Sequence, residues 1–555
     1  MKKTDFVSVF IIFSLCAVGL FHEFVACVAG AVLCIYLCVY AYKNKKVRVC
    51  LNLCSLSVAS VVGFYGLSTL WAVDSGSAFI GFFKFLPLLL FLLVIMQQEK
   101  SAEDYFKMIP YVAAIMTVAS AVLMQIPGLK KWFAVSGRLA GFFQYSNTFA
   151  LFLLIALIII ATKEKIQKTD FLLIPVILFG IFYSGSRTVF VLLVVAVLGI
   201  IIFSKNKVYK ITLAGVAALA TVIVVVYSAV TDNFSTIGRF LTLSLTESTF
   251  VGRLLYFADA LPVILRHPFG MGYMGYYFFQ QSVQTGVYTV KFIHNDFLQL
   301  MLDVGWVPVI ILVAAIAKSF FRKGASLQKR LLLLVISAHT CFDFNFQYLS
   351  VFMLFIMLLD YKDGTEKEFC INKAVNISVT AVCTVLCLYM GLSQALSYFK
   401  NYSLSDKLYP YNTLNHIQLL VSDSETGLNE KIADKIIENN GYVAIAYDVK
   451  AKLAYSEGDF AKMMDYKEKA IEVSPFTYET YEDYCYMLVN GIYLYSEAGD
   501  EYSAKVCMNK LISVAERVEA LDDKLSKFGT MIDDQPNTVL PDEIQKYVKG
   551  LTDEK

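Results

Sequence analysis

The chain has 555 residues, 57% of them hydrophobic and 17% charged, with a mean hydropathy of +0.59. A soluble protein of this size cannot carry that pairing, so the composition describes an integral membrane protein and excludes a nucleic-acid binder, a disordered chain or a disulfide-stapled module. The formal net charge of +2 hides an asymmetry, because residues 397–555 hold 17 Lys/Arg against 28 Asp/Glu and leave the first 396 residues strongly basic.

Apolar runs long enough to cross a hydrocarbon layer of roughly 30 Å lie near 5–21, 24–42, 51–71, 78–97, 108–126, 147–162, 171–184, 188–204, 211–230, 297–317, 331–346, 348–360 and 374–396. They predict an all-α polytopic bundle of about 12–13 transmembrane helices over residues 1–396, followed by an α-helical repeat domain over 397–555. Met1-Lys2-Lys3 precedes the first run without a small-residue cleavage site after it, which predicts a retained signal anchor. Ten of the twelve cysteines lie in or beside apolar runs and read as small hydrophobes. Cys485 and Cys507 in the tail are either two buried thiols or a disulfide, if that region faces an oxidising compartment.

Lys/Arg distribution in the loops sets the expected orientation. Basic clusters at Lys43 to Arg48, Lys163 to Lys168, Lys205 to Lys210, Lys318 to Arg330 and Lys362 to Lys373 alternate with loops poor in them. With the N-terminus cytoplasmic, the long loop 231–296 and the tail fall outside the cytoplasmic membrane. In the tail, Tyr447 to Pro475 resembles a tetratricopeptide repeat, with a turn at Gly458-Asp459, and a second unit runs from Tyr481 to Ala515 around Gly499-Asp500. Such a solenoid serves either as a stabilising cap or as a surface for a protein partner.

Polar residues at the ends of membrane helices are the candidates for chemistry. Arg187 follows the Ser184-Gly185-Ser186 break and stands at a helix start, a favourable place to hold an anion, although a lone interfacial arginine also suits lipid phosphates. Arg253 opens an amphipathic stretch expected on the membrane surface, and Arg138 lies in the loop before the sixth run. The planar guanidinium suits phosphoryl oxygens because it engages two at once and keeps its charge. His294 stands where the long loop becomes a helix, with Asn295 placed to cap it and Asp296 in its first turn. Imidazole is the side chain suited to taking a proton from a hydroxyl near neutrality. His339 and Asp343, at i and i+4, predict a hydrogen-bonded pair on one helix face. The glycine-rich stretch Pro268 to Gly275 permits close backbone approach to a ligand, and Lys84, Asp74 and Asp303 read as structural. No DxD, HExxH or P-loop is present, so neither a metal nor a cofactor is expected.

Four stretches together carry a resemblance: Trp71 to Asp74 with Gly81 to Lys84, Arg138 to Asn147, Ser184 to Thr188, and Arg253 through His294-Asn295. In their order along residues 50–360 the chain resembles the O-antigen ligase and O-antigen polymerase superfamily of bacterial membrane glycan transferases. The resemblance implies an undecaprenyl-diphosphate-linked oligosaccharide donor and a glycan, lipid or protein acceptor. It implies Arg187, Arg253 and more weakly Arg138 as diphosphate ligands, His294 as the activating base, and Asn295 and Asp296 in support. Direct displacement with inversion follows, because no carboxylate pair is placed for a covalent intermediate. A lipid-core or protein oligosaccharyltransferase of the same family, and a flippase without chemistry, are the alternatives.

Overall fold

The structure is a computed structural model that describes residues 5–203, 248–370, 372–422 and 426–553. The run predicted at 211–230 lies outside the described residues. Six helices among the described residues are long and apolar enough to cross a membrane: Glu23–Asn44, Leu53–Leu70, Ser75–Met96, Ala102–Leu123, Ser248–Arg266 and Lys373–Tyr398. Shorter apolar helices occupy Phe6–Cys16, Ser146–Ala161, Asp170–Ser184, Arg187–Phe203, Trp306–Phe321 and Leu349–Leu358. The protein is therefore an all-α polytopic membrane protein. The strands among the described residues are short, pairing Lys46–Leu51 with Thr365–Cys370 and Ala134–Val135 with Arg138–Leu139, both antiparallel.

Predicted runs are broken where the backbone turns. Residues 297–317 form Asp296–Val304 and Trp306–Phe321, because Gly305 between them adopts φ +82°, which favours a residue without a side chain. Residues 331–346 stop being helical at Thr340. The stretch beginning at Arg253 belongs to one continuous helix, Ser248–Arg266, with the length and composition of a membrane span.

The chain forms two compact units. The first comprises Met1–Leu67, Ile80–Ser244 and His294–Gln394. Its centre is built on Ser146–Ala161 and Leu349–Leu358, helices that are apolar and buried almost all round. Lys373–Tyr398 instead exposes Val375, Val379, Val382 and Val385, as a helix at a lipid boundary does. Two buried charged groups of this unit are held by polar partners: Asp303 accepts from Tyr65 Oη and Gln299 Nε2, both at 2.9 Å, and fully buried Lys84 reaches Gln347 Oε1 at 3.2 Å and Glu23 at 3.7 Å.

The second unit comprises Ser68–Phe79, Leu245–Ile293 and Ala395–Lys555, so two segments of the membrane part of the sequence pack with the tail. Asp74 caps the helix that begins at Ser75 through Ser77 N–H (2.7 Å) and accepts from Asn440 Nδ2 (3.0 Å). In the tail, Ala444–Ser456 is followed by Phe460–Val473, and Tyr478–Glu497 by Glu501–Glu519. Each of these two connections has a left-handed glycine, Gly458 or Gly499, and then an aspartate, Asp459 or Asp500, that caps the next helix. Phe460, Met463, Tyr481, Tyr484, Leu488, Leu511 and Val518 fill the space between them. Cys485 and Cys507 are buried here and unpaired, and burial first, then the charge of Glu482, pushes the Cys485 thiol up to about 12.

Candidate functional site

A set of polar residues in the first unit converges on one buried carboxylate. The connection before Ser146–Ala161 reverses direction twice, through Ser136 and Gly137 and again through Gln144, all at positive φ. That compact path brings Arg138, Tyr145 and Asn147 into the same cluster. Tyr145 Oη donates to Asp343 Oδ1 at 2.9 Å, and Asn147 Nδ2 donates to Asp343 Oδ2 at 2.7 Å. The Phe344 N–H adds a third bond at 3.0 Å. His294 Nδ1 lies 3.2 Å from Asp343 Oδ1.

The imidazole and the carboxylate have unequal access to solvent, with side-chain exposures of 22% for His294 and 2% for Asp343. Assigned from this network, Nδ1 carries the ring proton toward the carboxylate and Nε2 is the unprotonated nitrogen. The same division of labour orients histidine bases elsewhere: a buried carboxylate fixes the tautomer and the ring angle.

His294 itself adopts φ +54°, a left-handed backbone that a side-chain-bearing residue enters at a penalty of about 1–3 kcal/mol. Its neighbours hold that conformation. Asn295 accepts from Leu298 N–H (3.0 Å) and caps Asp296–Val304, while buried Asp296 accepts from Phe346 N–H (2.9 Å) through Oδ2. The turn carrying His294 is thus tied twice to the turn carrying Asp343. The Phe344 ring packs edge-on against the imidazole, with centroids 5.0 Å apart.

Arg138 is anchored within the same cluster. Its Nε donates to Ser184 O at 2.6 Å and its Nη2 to Asn147 Oδ1 at 2.7 Å. A cation is thereby seated on the C-terminal carbonyl of Asp170–Ser184 and linked through Asn147 to Asp343. Gly185, at φ +60°, closes that helix, and half-buried Arg187 begins the next. Arg187 therefore stands three residues beyond the carbonyl that holds Arg138. Arg253 belongs to the second unit, half-buried on Ser248–Arg266.

The predicted helical pairing of His339 with Asp343 is corrected, since the helix ends at Thr340 and the two no longer share its face. His339 Nδ1 accepts from Asn345 Nδ2 at 2.8 Å, and Asn345 Oδ1 accepts from Thr148 at 3.0 Å. Within the glycine-rich stretch Gly272 makes room for the chain itself: a Cβ there would stand 2.5 Å from Ala72 Cβ. Tyr145, Asn147 and Ser184 received no role from the sequence, although all three lie within the motifs that carry the resemblance.

Comparison with known proteins gives one match. Residues 171–313 match a family described as O-antigen ligase, a span that contains Arg187, Arg253, His294, Asn295 and Asp296 and stops short of Asp343. No curated protein and no solved structure matches the chain.

Proposed function

We propose that the chain, whose residues 171–313 match a family described as O-antigen ligase, moves a glycan from a polyprenyl-diphosphate carrier to an acceptor hydroxyl. The observation that carries this reading is the partly exposed His294 ring held by buried Asp343 at 3.2 Å.

In this reading His294 Nε2 takes the proton of the acceptor hydroxyl as its oxygen attacks the anomeric carbon. The bond from that carbon to the phosphate oxygen breaks, and the polyprenyl diphosphate leaves with the electron pair. Arg187 and Arg253 stabilise the charge that develops on the departing diphosphate. Arg138 positions Asn147, and through it Asp343, and is the weaker candidate for the same diphosphate. A single displacement inverts the anomeric carbon and needs no metal. The reaction belongs on the outer face of the cytoplasmic membrane, where nucleotide sugars are lacking and the donor must arrive already activated. The tail, read as two tetratricopeptide-like units over 397–555, lies on that same side and is suited to recruiting the acceptor or a partner protein.

The test is His294→Ala in the purified protein reconstituted with lipid-linked donor. Transfer is expected to fall by about 10³-fold with membrane insertion intact, and the wild type is expected to keep its rate in EDTA. A normal product ladder from the variant would overturn the assignment.

A further inference from the structure

We infer that the segment Ser526–Asp533, after the tail helices, is a strap that fixes the helix carrying Arg253, with Asp259, Ser526 and Gly529 as positioning residues for donor binding. The functional half of this inference rests on the assignment of Arg253 to the donor diphosphate. The geometric half stands on contacts within the second unit alone.

Ser248, Gly252, Leu255 and Asp259 follow one another at spacings of four, three and four, so they form one stripe along Ser248–Arg266. Two pieces of chain cover that stripe. The first is the turn at 285–288. Asp259 is buried and accepts three bonds from it: Thr285 N–H at 2.9 Å, Thr285 Oγ1 at 2.7 Å and Tyr288 Oη at 2.9 Å. The second is the strap, which reaches both the helix and the turn. Ser526 N–H donates to Thr285 O at 2.9 Å, and Asp533 N–H donates to Ser248 Oγ at 3.0 Å.

Packing between these bonds leaves no slack. A Cβ at Gly529 would stand 2.2 Å from Thr285 O, and one at Gly286 would stand 2.7 Å from Leu255 Cδ2 and 3.0 Å from Gly529 Cα. Ile532 closes the far side, 3.6 Å from the same position on Gly286 and 4.0 Å from that on Gly252. Gly529 is needed because a carbonyl oxygen occupies the space a side chain would take. Arg253 lies between Gly252 and Leu255 in the sequence, so its backbone is clamped on both sides by the covered stripe. A chain segment more than 240 residues away in sequence thus sets where one of the proposed donor ligands stands.

The strap is tested in the full-length protein in nanodiscs by Gly529→Val, with Asp259→Asn as a second variant that keeps the side-chain volume. Amide exchange across 248–259 and 285–288 is expected to quicken by about tenfold, with the helices between Ala444 and Glu519 unchanged. The KM for lipid-linked donor should rise about tenfold while kcat stays within about twofold. Unchanged exchange in both variants overturns the strap. Faster exchange with an unchanged KM overturns its role in positioning. Arg253→Ala separates this inference from the reading beneath it: an unchanged donor KM in that variant removes the diphosphate assignment, whereas the exchange measurement still decides the strap.

Discussion

Each unit of the molecule contains a histidine–aspartate pair, and the two are built in opposite senses. In the first unit the carboxylate of Asp343 is buried and the ring of His294 is 22% exposed. In the second, His416 Nε2 lies 2.6 Å from Asp406, but the ring is the buried member at 2% and the carboxylate is 20% exposed. The surroundings differ in the same way. Asp343 gathers a phenol, an amide and a backbone N–H besides the imidazole. His416 keeps its Nδ1 enclosed, without a partner among the described residues. An imidazole can move a proton to or from a substrate only if one nitrogen is held and the other can be reached. Burial of the ring suits a fastener, whereas a buried carboxylate beside a part-exposed ring is the arrangement that proton transfer by an imidazole requires.

The largest effect expected from this contrast is that of Asp343→Asn. With the acceptor replaced by an amide, the Nδ1 proton loses its partner and the ring is free to take the wrong tautomer. We expect kcat to drop by about 10³-fold, with donor affinity and thermal stability close to those of the wild type. Asp406→Asn is expected to leave transfer untouched. Equal losses of kcat in the two variants would break the comparison. Tyr145→Phe sharpens it on a smaller scale: one donor to Asp343 is removed, which corresponds to about 1 kcal/mol and a fall in kcat of about fivefold. A glycan-transfer assay with saturating donor reads both.

How much of this was legible beforehand follows from what each feature depends on. Membrane helices are dictated by runs of apolar side chains, a local property, so Glu23–Asn44, Ser75–Met96 and Lys373–Tyr398 lie close to the predicted runs at 24–42, 78–97 and 374–396. The breaks were not legible, because hydropathy continues straight through Gly305 and Cys341 while the backbone turns. The approach to the site shows the same division. His294, Asn295 and Asp296 stand at a loop-to-helix boundary that sequence reveals. The partner of Asp343 depends on where a helix stops: helical spacing pointed to His339, and termination at Thr340 gave the carboxylate to His294 instead. Tyr145 and Asn147 lie in a stretch already conspicuous in the sequence, yet their convergence on a residue almost 200 positions away is a tertiary fact. Pairing of Ser526 with Thr285 was invisible for the same reason, since nothing in two short polar segments announces that they meet.

The smallest expected effect concerns the fastener, and its sign can be worked out. Burial by itself would raise the titration of Asp406, but the hydrogen bond to His416, the charge of that ring and the charge of Lys435 outweigh it and hold the carboxyl below its ordinary value of 3.8. A carboxylate whose titration is depressed on folding adds stability above its unfolded value and loses it as pH falls through the lowered one. The contribution is therefore complete at neutrality and disappears on acidification below about pH 4. Amide exchange in Tyr402–Leu408 and Thr413–Ser422, followed in the intact protein from about pH 6 to about pH 3, should quicken across that window. The change should be shallower in Asp406→Asn, which has already lost the charge. Because the carboxylate is partly exposed, solvent screens the pair and the shift should be modest. If Asp406→Asn abolished transfer while these helices kept their protection, the pair in the tail would be more than a fastener, and exposure of the ring would cease to distinguish the two.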